Sequence, residues 1–341
     1  MQRLLACALL ALCAAAHAGT GVTELAPLAG DGPVTVFYPT AVDDAPVERG
    51  PYRLRLATDA PPHRGNGRLV VISHGSGGTP WVHSDLARVL VADGFVVAMP
   101  LHRGDNARDP GTPGPESWKL RPSEVSRAID AVAQDPRFAP LLALDKVGMY
   151  GMSAGGHTAL SLAGGRWSPA RLRDHCEAHL DEDFPGCVGL ATSLDGSLLD
   201  GVKKAVARRV IAHRLDDSRW YTHHDPRIAV VVAGVPFATD FDPASVAQPR
   251  VALGLVRAGD DRWLAPRFHG DTILAACRPR CELIADLPSA GHGALLSPPP
   301  PLDRLGATAR RLLEDPPGFD RSQLPAVDAR IAAFLRAHLV P

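Results

Sequence analysis

Short apolar runs alternate with segments of helical periodicity along most of the chain. Runs rich in valine and leucine predict strands at 34–38, 52–56, 68–73, 95–100, 146–151, 228–234, 251–258 and 282–287. Helical patterns lie near 83–93, 122–134, 154–163, 269–277 and 322–338. The first two strands are expected to pair antiparallel at an edge, and the other six to be buried. This order predicts an α/β fold with a doubly wound, mostly parallel sheet and helices on both faces.

The alternation breaks once, between about 166 and 225. This insertion contains a predicted helix with one apolar face, formed by Leu199, Val202, Val206 and Val210, while its lysines and arginines point away. An insertion directly after the helix at 154–163 can act as a lid that shapes or covers a substrate pocket. The other interpretation, a stabilising addition far from the chemistry, stays open.

Composition favours one large α/β domain without a nucleic-acid partner. The 341 residues are 45% hydrophobic, which supports a sizeable core. The formal charge of -1 comes from evenly mixed acidic and basic residues. No basic stripe of the kind that binds nucleic acid can be recognised in the sequence.

The N-terminus has the pattern of a secretory signal peptide. Residues 1–18 contain Arg3, an apolar stretch at 4–16 and the small-residue sequence Ala-His-Ala at 16–18. This stretch is too short for a stable membrane span. We therefore expect cleavage before Gly19, a mature domain at 19–341, and a periplasmic or secreted protein.

Export changes the chemistry expected of the cysteines. Cys7 and Cys13 are removed with the signal peptide. The alternative is a lipoprotein with its lipid attached at Cys13, which the bulky Leu12 before it disfavours. The four that remain are Cys176, Cys187, Cys277 and Cys281. Short loops favour two local disulfides, 176 with 187 and 277 with 281, in an oxidising compartment. A zinc site is the alternative, but no CxxC spacing occurs, and His175 and His179 do not complete one.

The segment Gly-Met-Ser-Ala-Gly at 151–155 carries the main chemical signal. It lies between a predicted strand and a predicted helix, where a sharp turn holds Ser153 as an exposed nucleophile. The backbone N–H of Ala154 would then face any oxyanion that forms. A five-residue pattern in a glycine-rich chain also arises by chance, so the interpretation depends on partners elsewhere.

Two such partners follow later strands in the expected order. His292 lies on a loop after the strand at 282–287 and is the candidate base. Asp261 follows the strand at 251–258 and is the candidate acid, which would orient the imidazole. Asp260 is the next choice, and Asp195 and Asp240 are further alternatives.

A glycine-rich loop after the strand at 68–73 is predicted to supply the second oxyanion donor. Its best candidate is the Ser76 amide, since the neighbouring glycines allow a close approach of the backbone. A phosphate-binding loop is the competing use, but the lysine of a P-loop is missing. Trp118, Trp263 and Phe237 lie in predicted loops beyond strand ends and are candidates for a substrate pocket, although such aromatics more often close a core.

These residues together resemble the α/β-hydrolase superfamily, and more narrowly the bacterial dienelactone hydrolase-like group related to platelet-activating factor acetylhydrolases. The matching segments, which span most of the mature chain, are 34–40, 73–78, 98–106, 151–156, 257–261 and 291–293. The resemblance implies a serine hydrolase of carboxylic esters without metal or other cofactor, with Ser153, Asp261 and His292 as its triad. True dienelactone hydrolases have cysteine at the position of Ser153, so an ester of a more apolar molecule is expected, either a small molecule or a lipid-like compound.

Three other functions stay open at this point. A serine peptidase or amidase of the same fold would use the same triad. A catalytically inactive binding module would keep the fold without a reactive serine. A metal-binding protein would draw on Tyr221, His223, His224 and Asp225, although adjacent histidines in a turn are usually solvated.

Overall fold

The computed structural model describes residues 19–341; the predicted signal peptide at 1–18 lies outside the described residues. The strands are β1 (Gly19–Leu25), β2 (Val34–Thr40), β3 (Ala45–Arg49), β4 (Tyr52–Thr58), β5 (Leu69–Ser73), β6 (Val96–Pro100), β7 (Val147–Met152), β8 (Ile228–Gly234), β9 (Ala252–Ala258) and β10 (Cys281–Leu287). The α-helices are α1 (Ser84–Ala92), α2 (Pro115–Gln134), α3 (Ala154–Leu162), α4 (Pro169–His179), α5 (Phe184–Val188), α6 (Asp200–Arg214), α7 (Pro243–Val246), α8 (Gly270–Cys277), α9 (Ala307–Leu313) and α10 (Leu324–Leu339).

The strands form one sheet in the order β10-β9-β8-β7-β5-β6-β2-β1-β4-β3. The six strands from β10 to β6 all pair in parallel, and β2 then joins β6 antiparallel. The inner strands are apolar on both faces, as expected for strands covered by helices on either side, whereas the edge strand β10 exposes Glu282 and Asp286. The predicted doubly wound, mostly parallel α/β fold is confirmed.

Successive residues of a strand point to opposite faces, and each face has its own core. On β5, Val71 belongs to the core beneath α2, α3 and α8, whereas Val70 belongs to the core beneath α1 and α10. On β7, Met149 belongs to the first of these cores and Tyr150 belongs to the second. This double burial fixes the register of the strands, and their carboxyl ends therefore meet along one edge.

The predicted antiparallel pair of β2 and β4 is wrong. A strand that the sequence pattern missed, β1, lies between them, antiparallel to β2 along all seven residues and parallel to β4. The sequence Gly-Thr-Gly-Val-Thr-Glu-Leu of β1 has few apolar side chains and two glycines, which weakens the strand signal. Its stability comes from pairing with β2 rather than from its own propensity.

The sequence pattern also missed β3 and α9, and further differences concern the start of α2 and the insertion. Helix α2 begins at Pro115 rather than near 122, and Pro122 lies inside it. Between α3 and β8 the chain forms α4, α5 and α6, and an antiparallel bridge from Trp167 to Tyr221 closes this segment. The face of α6 that carries the valines is exposed instead of packed, although the helix forms where the pattern predicted it.

Disulfides join Cys176 to Cys187 and Cys277 to Cys281, the two pairings that the short loops predict. The first links α4 to α5 within the insertion, and the second ties the end of α8 to the start of β10. Within residues 19–341, no helix combines the length and the apolar character needed to cross a membrane.

Candidate active site

Ser153 lies on a tight turn between β7 and α3. Its backbone has φ 58° and ψ -118°, a strained conformation for a residue with a side chain. The flanking glycines make this turn possible, since a Cβ on Gly151 would lie 2.0 Å from the carbonyl oxygen of Gly155. A Cβ on Gly155 would lie equally close to the carbonyl oxygen of Ser73. The turn therefore lifts the serine hydroxyl above the carboxyl edge of the sheet.

The structure brings Ser153, His292 and Asp261 together at this edge. His292 Nε2 lies 2.9 Å from Ser153 Oγ, and His292 Nδ1 lies 2.7 Å from Asp261 Oδ2. The other carboxylate oxygen of Asp261 accepts the backbone N–H groups of Trp263 and Leu264, each at 2.8 Å. These donors fix the carboxylate so that it accepts from Nδ1–H and leaves Nε2 free to take a proton from the serine.

Backbone contacts hold the acid and histidine loops against each other. The Asp260 N–H donates to the carbonyl of Ala290 at 3.0 Å, and Gly259 donates to Leu287 at 2.8 Å. Arg321, which is bound to Asp315, donates to the carbonyls of Gly293 and Leu296 in the turn that carries His292. The relative position of acid and base is therefore set by the main chain of both loops.

The glycine-rich loop after β5 lies directly beside the serine. A Cβ on Gly75 would lie 3.4 Å from Ser153 Cβ and 3.9 Å from its Oγ. Ala154 is the first residue of α3, so its N–H has no partner within the helix. In residues 19–341, no hydrogen-bond acceptor contacts the N–H of Ser76 or of Ala154. Both predicted oxyanion donors are thus free to bind.

A buried ion pair that the sequence interpretation missed holds this loop. Asp105 accepts the Ser76 hydroxyl at 2.5 Å and the Gly77 N–H at 3.0 Å through one oxygen, and Arg121 at 2.8 Å through the other. Arg121 also donates to the His74 carbonyl at 2.5 Å. Both charged side chains are excluded from solvent. The only sequence signal was a polar cluster after β6, the strand that ends next to β5.

A second buried network supports the same loop from below. His102 contacts Ser73 Oγ at 2.7 Å through Nε2 and Glu124 Oε2 at 2.6 Å through Nδ1. Burial raises the pKa of Glu124, an effect partly offset by the N–H of Arg103. Burial and the nearby Arg121 guanidinium hold the pKa of His102 well below its usual range. The imidazole is therefore neutral and serves as a fixed link between β5 and α2.

The alternative acids have other partners. Asp240 lies 3.0 Å from His157 Nε2, and both side chains are completely buried. Asp195 lies in the insertion and pairs with Lys203 at 3.0 Å. Asp260 pairs with Arg262 near the surface. Of the four candidate acids, Asp261 alone contacts His292.

The predicted pocket aromatics divide into two groups. Trp118, which lies in α2 rather than in a loop as predicted, and Phe237 are buried with tilted rings whose centroids are 4.5 Å apart, in a cluster that includes His157. Phe237 also touches the nucleophile turn, because its N–H donates to the Ser153 carbonyl at 3.3 Å. Trp263 is half-buried beside Asp261. The cluster therefore packs, through Phe237, against the turn that carries Ser153.

A cavity of about 20 Å³ lies behind the acid and is lined by Asp261, Leu264 and His269 among others. That volume holds roughly one water molecule. It is too small for an acyl group, and neither Ser153 nor His292 lines it.

The residues suggested for a metal site are engaged elsewhere. His223 contacts Ser126, and Tyr221 donates to Asp217. The Arg227 guanidinium pairs with Asp225, and although burial alone would raise the pKa of Asp225, this partner lowers it to about 2. The four residues do not converge on a common point.

The closest grouping of donor atoms within residues 19–341 comprises His175, Asp183 and Cys187. Cys187 is held in a disulfide and offers no thiolate. His269 also reaches Asp183, at 3.4 Å through Nε2, but its Nδ1 accepts the Ala238 N–H. Because Nδ1 accepts this bond, the ring N–H is on Nε2, and that nitrogen cannot ligate a metal. The chemistry of this donor set fits a hydrogen-bond network rather than an ion.

Comparisons with known proteins bear on the fold. No protein-family model matches the sequence, and no curated protein matches it. Among solved structures the chain is similar to a ferulic acid esterase from Streptomyces cinnamoneus, with a TM-score of 0.58 and 16% identity over 96% of this chain and 91% of that one. The chain has the α/β-hydrolase fold.

A second solved structure is similar to the chain at lower TM-score. It is a protein assigned as a dienelactone hydrolase from Klebsiella pneumoniae subsp. pneumoniae, with a TM-score of 0.49 and 12% identity over 93% of this chain and 97% of that one. At 16% identity, the similarity to the first structure establishes the α/β-hydrolase fold alone. The chemistry has to be argued from the residues of this chain.

Proposed function

We propose that this chain is a serine hydrolase that cleaves carboxylic esters through Ser153, His292 and Asp261. The observation that carries the proposal is the continuous hydrogen-bond path from Ser153 Oγ through both ring nitrogens of His292 to Asp261. A serine hydroxyl is a weak nucleophile without an adjacent base, and this path supplies a base whose orientation is fixed by an acid.

The first half of the reaction forms an acyl-enzyme. Ser153 Oγ attacks the ester carbonyl while its proton passes to His292 Nε2, and the amides of Ala154 and Ser76 stabilise the resulting oxyanion. Collapse of this intermediate breaks the ester C–O bond, and the imidazolium returns its proton to the leaving alcohol. Asp261 stabilises the imidazolium throughout this step.

The second half releases the acid. Water, deprotonated by His292, attacks the acyl carbonyl, and a second tetrahedral intermediate forms in the same oxyanion site. Its collapse regenerates the Ser153 hydroxyl with the proton held on Nε2. No cofactor takes part in this scheme. The substrates we propose are small-molecule or lipid-like esters.

The proposed site of action lies outside the cytoplasm. Two disulfides are consistent with an oxidising compartment such as the periplasm or the extracellular medium. We propose that the leader at 1–18 is cleaved on export. N-terminal sequencing of protein recovered from a secreting host should begin at Gly19, and an intact Met1 on exported protein would contradict this proposal.

The test of the catalytic role uses labelling and turnover together. A fluorophosphonate probe should label Ser153 in the unmodified protein. Ser153→Ala should remove labelling and lower ester hydrolysis by about a thousandfold or more. The matched control is Ser161→Ala. Ser161 lies in α3, the helix that begins directly after Ser153, and its hydroxyl donates only to the His157 carbonyl. Turnover that survives in Ser153→Ala would refute the assignment.

A substrate panel separates the ester reaction from its alternatives. p-Nitrophenyl esters from acetate to long chains should be hydrolysed, with the rates defining the acyl length. Aminoacyl p-nitroanilides should react far more slowly. Preference for the anilides would indicate a peptidase or amidase, and absence of both labelling and turnover would indicate an inactive binding module.

A further inference from the structure

Helix α6 turns an apolar face towards solvent. The side chains of Leu199, Val202, Val206 and Val210, here called the apolar stripe, recur at helical spacing and are 63%, 58%, 57% and 44% exposed. An adjacent face of α6 carries Ala207 and Ile211, which are buried towards the rest of the insertion. Leu198, just before the helix, is fully exposed. The helix is therefore already anchored, and the stripe is left without a partner in the described chain.

The charges on α6 are arranged around this stripe. On the side away from it, Lys204 and Arg208 both pair with Asp181. Lys203 borders the stripe but is bound by Asp195 and Asp200. These three cations are therefore neutralised within the insertion.

The two arginines that remain lie along the edges of the stripe. At 100° per residue, Arg209 lies next to Val202 on one edge and Arg214 lies next to Val210 on the other. In residues 19–341 neither has an acidic partner within 4.0 Å. An apolar strip bordered on both sides by unpaired arginines is complementary to a surface that is apolar inside and anionic outside.

We propose that α6 docks flat on an anionic lipid surface, with the apolar stripe among the upper acyl chains and Arg209 and Arg214 at the headgroups. A helix of this kind lies in the interface plane, since its apolar face enters the acyl boundary while its cations stay at the headgroup level. A second copy of the chain is a poorer occupant, because pairing stripe with stripe brings the unpaired arginines of both copies together.

The proposal is independent of the hydrolase activity, because it concerns a surface outside the triad. The insertion does contact an element near the site, since Arg311 of α9 donates to Ser193 Oγ at 3.3 Å and α9 packs on the turn of His292. The test is nevertheless a binding measurement, and its outcome does not depend on turnover.

The experiment is co-sedimentation of protein that begins at Gly19 with two kinds of vesicle, one of phosphatidylcholine alone and one that also contains phosphatidylglycerol. The protein should sediment with the anionic vesicles, and added salt should weaken the binding. Val202→Ser/Val206→Ser and Arg209→Gln/Arg214→Gln should each lower the binding constant by about tenfold or more.

Matched controls remove exposed residues of the same types elsewhere. Val42→Ser and Arg53→Gln change exposed side chains on the β2–β4 side of the sheet and should leave binding unchanged. Thermal unfolding of every variant should match that of the parent protein, which excludes misfolding as the cause of lost binding.

Three results would overturn the proposal. The first is protein that stays in the supernatant with both kinds of vesicle. The second is a stripe variant or an arginine variant that binds as well as the parent protein. The third is a concentration-dependent dimer that Val202→Ser/Val206→Ser abolishes while vesicles bind neither protein, which would assign the stripe to a second copy of the chain.

Discussion

At the scale of single residues, the loop that carries Ser76 depends on one buried ion pair, between Asp105 and Arg121. Asp105 and Arg121 are shielded from water, and each satisfies the other while also bonding the loop that carries Ser76. A buried charge that loses its partner is strongly destabilising, so the pair holds the loop in one arrangement. Asp105 does not reach the reacting atoms and acts as a positioning residue for the proposed oxyanion donor.

Asp105→Asn tests this role. The amide keeps the shape of the carboxylate but removes the charge that Arg121 needs, so the Ser76 amide should lose its fixed position. We expect kcat for a soluble ester to fall by about tenfold or more with little change in KM, because an oxyanion donor acts mainly in the transition state.

Asp260→Asn is the matched control, since Asp260 adjoins the proposed triad acid but its side chain pairs only with the exposed Arg262. Activity of this variant should stay near that of the parent protein. If Asp105→Asn and Asp260→Asn have equal kcat, the ion pair has no part in positioning the loop.

The convergence of Ser153, Asp261 and His292 could be predicted from sequence, whereas the support of the loop that carries Ser76 could not. Ser153, Asp261 and His292 each follow a strand whose apolar run is visible, and strand ends converge in a parallel sheet. Asp105 and Arg121 come from a loop and from the interior of α2, and no local pattern joins residues that far apart. Strand β1 escaped prediction for a related reason, since its stability comes from pairing rather than from composition.

At the scale of elements, the insertion is joined to the body by polar contacts and braced by a disulfide. Asp183, which precedes α5, contacts His175 of α4 at 2.8 Å and His269, just before α8, at 3.4 Å. Burial alone would raise the pKa of Asp183, but the contacts with both histidines outweigh it and hold the pKa below its usual range. The Cys176–Cys187 bond fixes the turn that presents this carboxylate.

Removal of each disulfide separately tests this arrangement. The Cys176–Cys187 bond spans 11 residues and Cys277–Cys281 spans 4, so loop-closure entropy assigns about 3 and about 2 kcal/mol to them. Cys176→Ala/Cys187→Ala should therefore lower the free energy of unfolding more than Cys277→Ala/Cys281→Ala does. Urea denaturation of both double variants measures the difference. If the two double variants lose the same free energy of unfolding, or the second loses more, the Cys176–Cys187 bond does not contribute more to stability than Cys277–Cys281.

At the scale of the whole molecule, two carboxyl groups of residues 19–341, Glu124 and Asp328, have a raised pKa, and the large shift of Asp328 opposes folding at neutral pH. Asp328 of α10 lies against the sheet face covered by α1, and burial together with the nearby Asp85 carboxylate raises its pKa from 3.8 to about 7. Among the carboxyl groups of residues 19–341 with a resolved shift, most are instead lowered by cationic or N–H partners. Asp328 therefore gives the stability of the molecule a pH dependence of opposite sign.

The sign follows from proton linkage. Between pH 3.8 and about 7 the folded state holds the Asp328 proton more tightly than the unfolded state does, so folding takes up protons and the stability contributed by this group falls as the pH rises.

Asp328→Asn removes the titration while it keeps the size of the side chain. The variant should have a higher Tm than the parent protein at pH 8, and most of this advantage should disappear near pH 4, where the folded state keeps Asp328 protonated and the unfolded chain has lost only part of this proton. Thermal unfolding at a series of pH values measures the difference, with Asp320→Asn, an exposed capping residue, as a control that should show no gain in Tm at pH 8, because partners at the helix start lower the pKa of its carboxyl. A Tm gain of Asp328→Asn that is the same at pH 4 and pH 8 would show that carboxyl ionisation is not its cause.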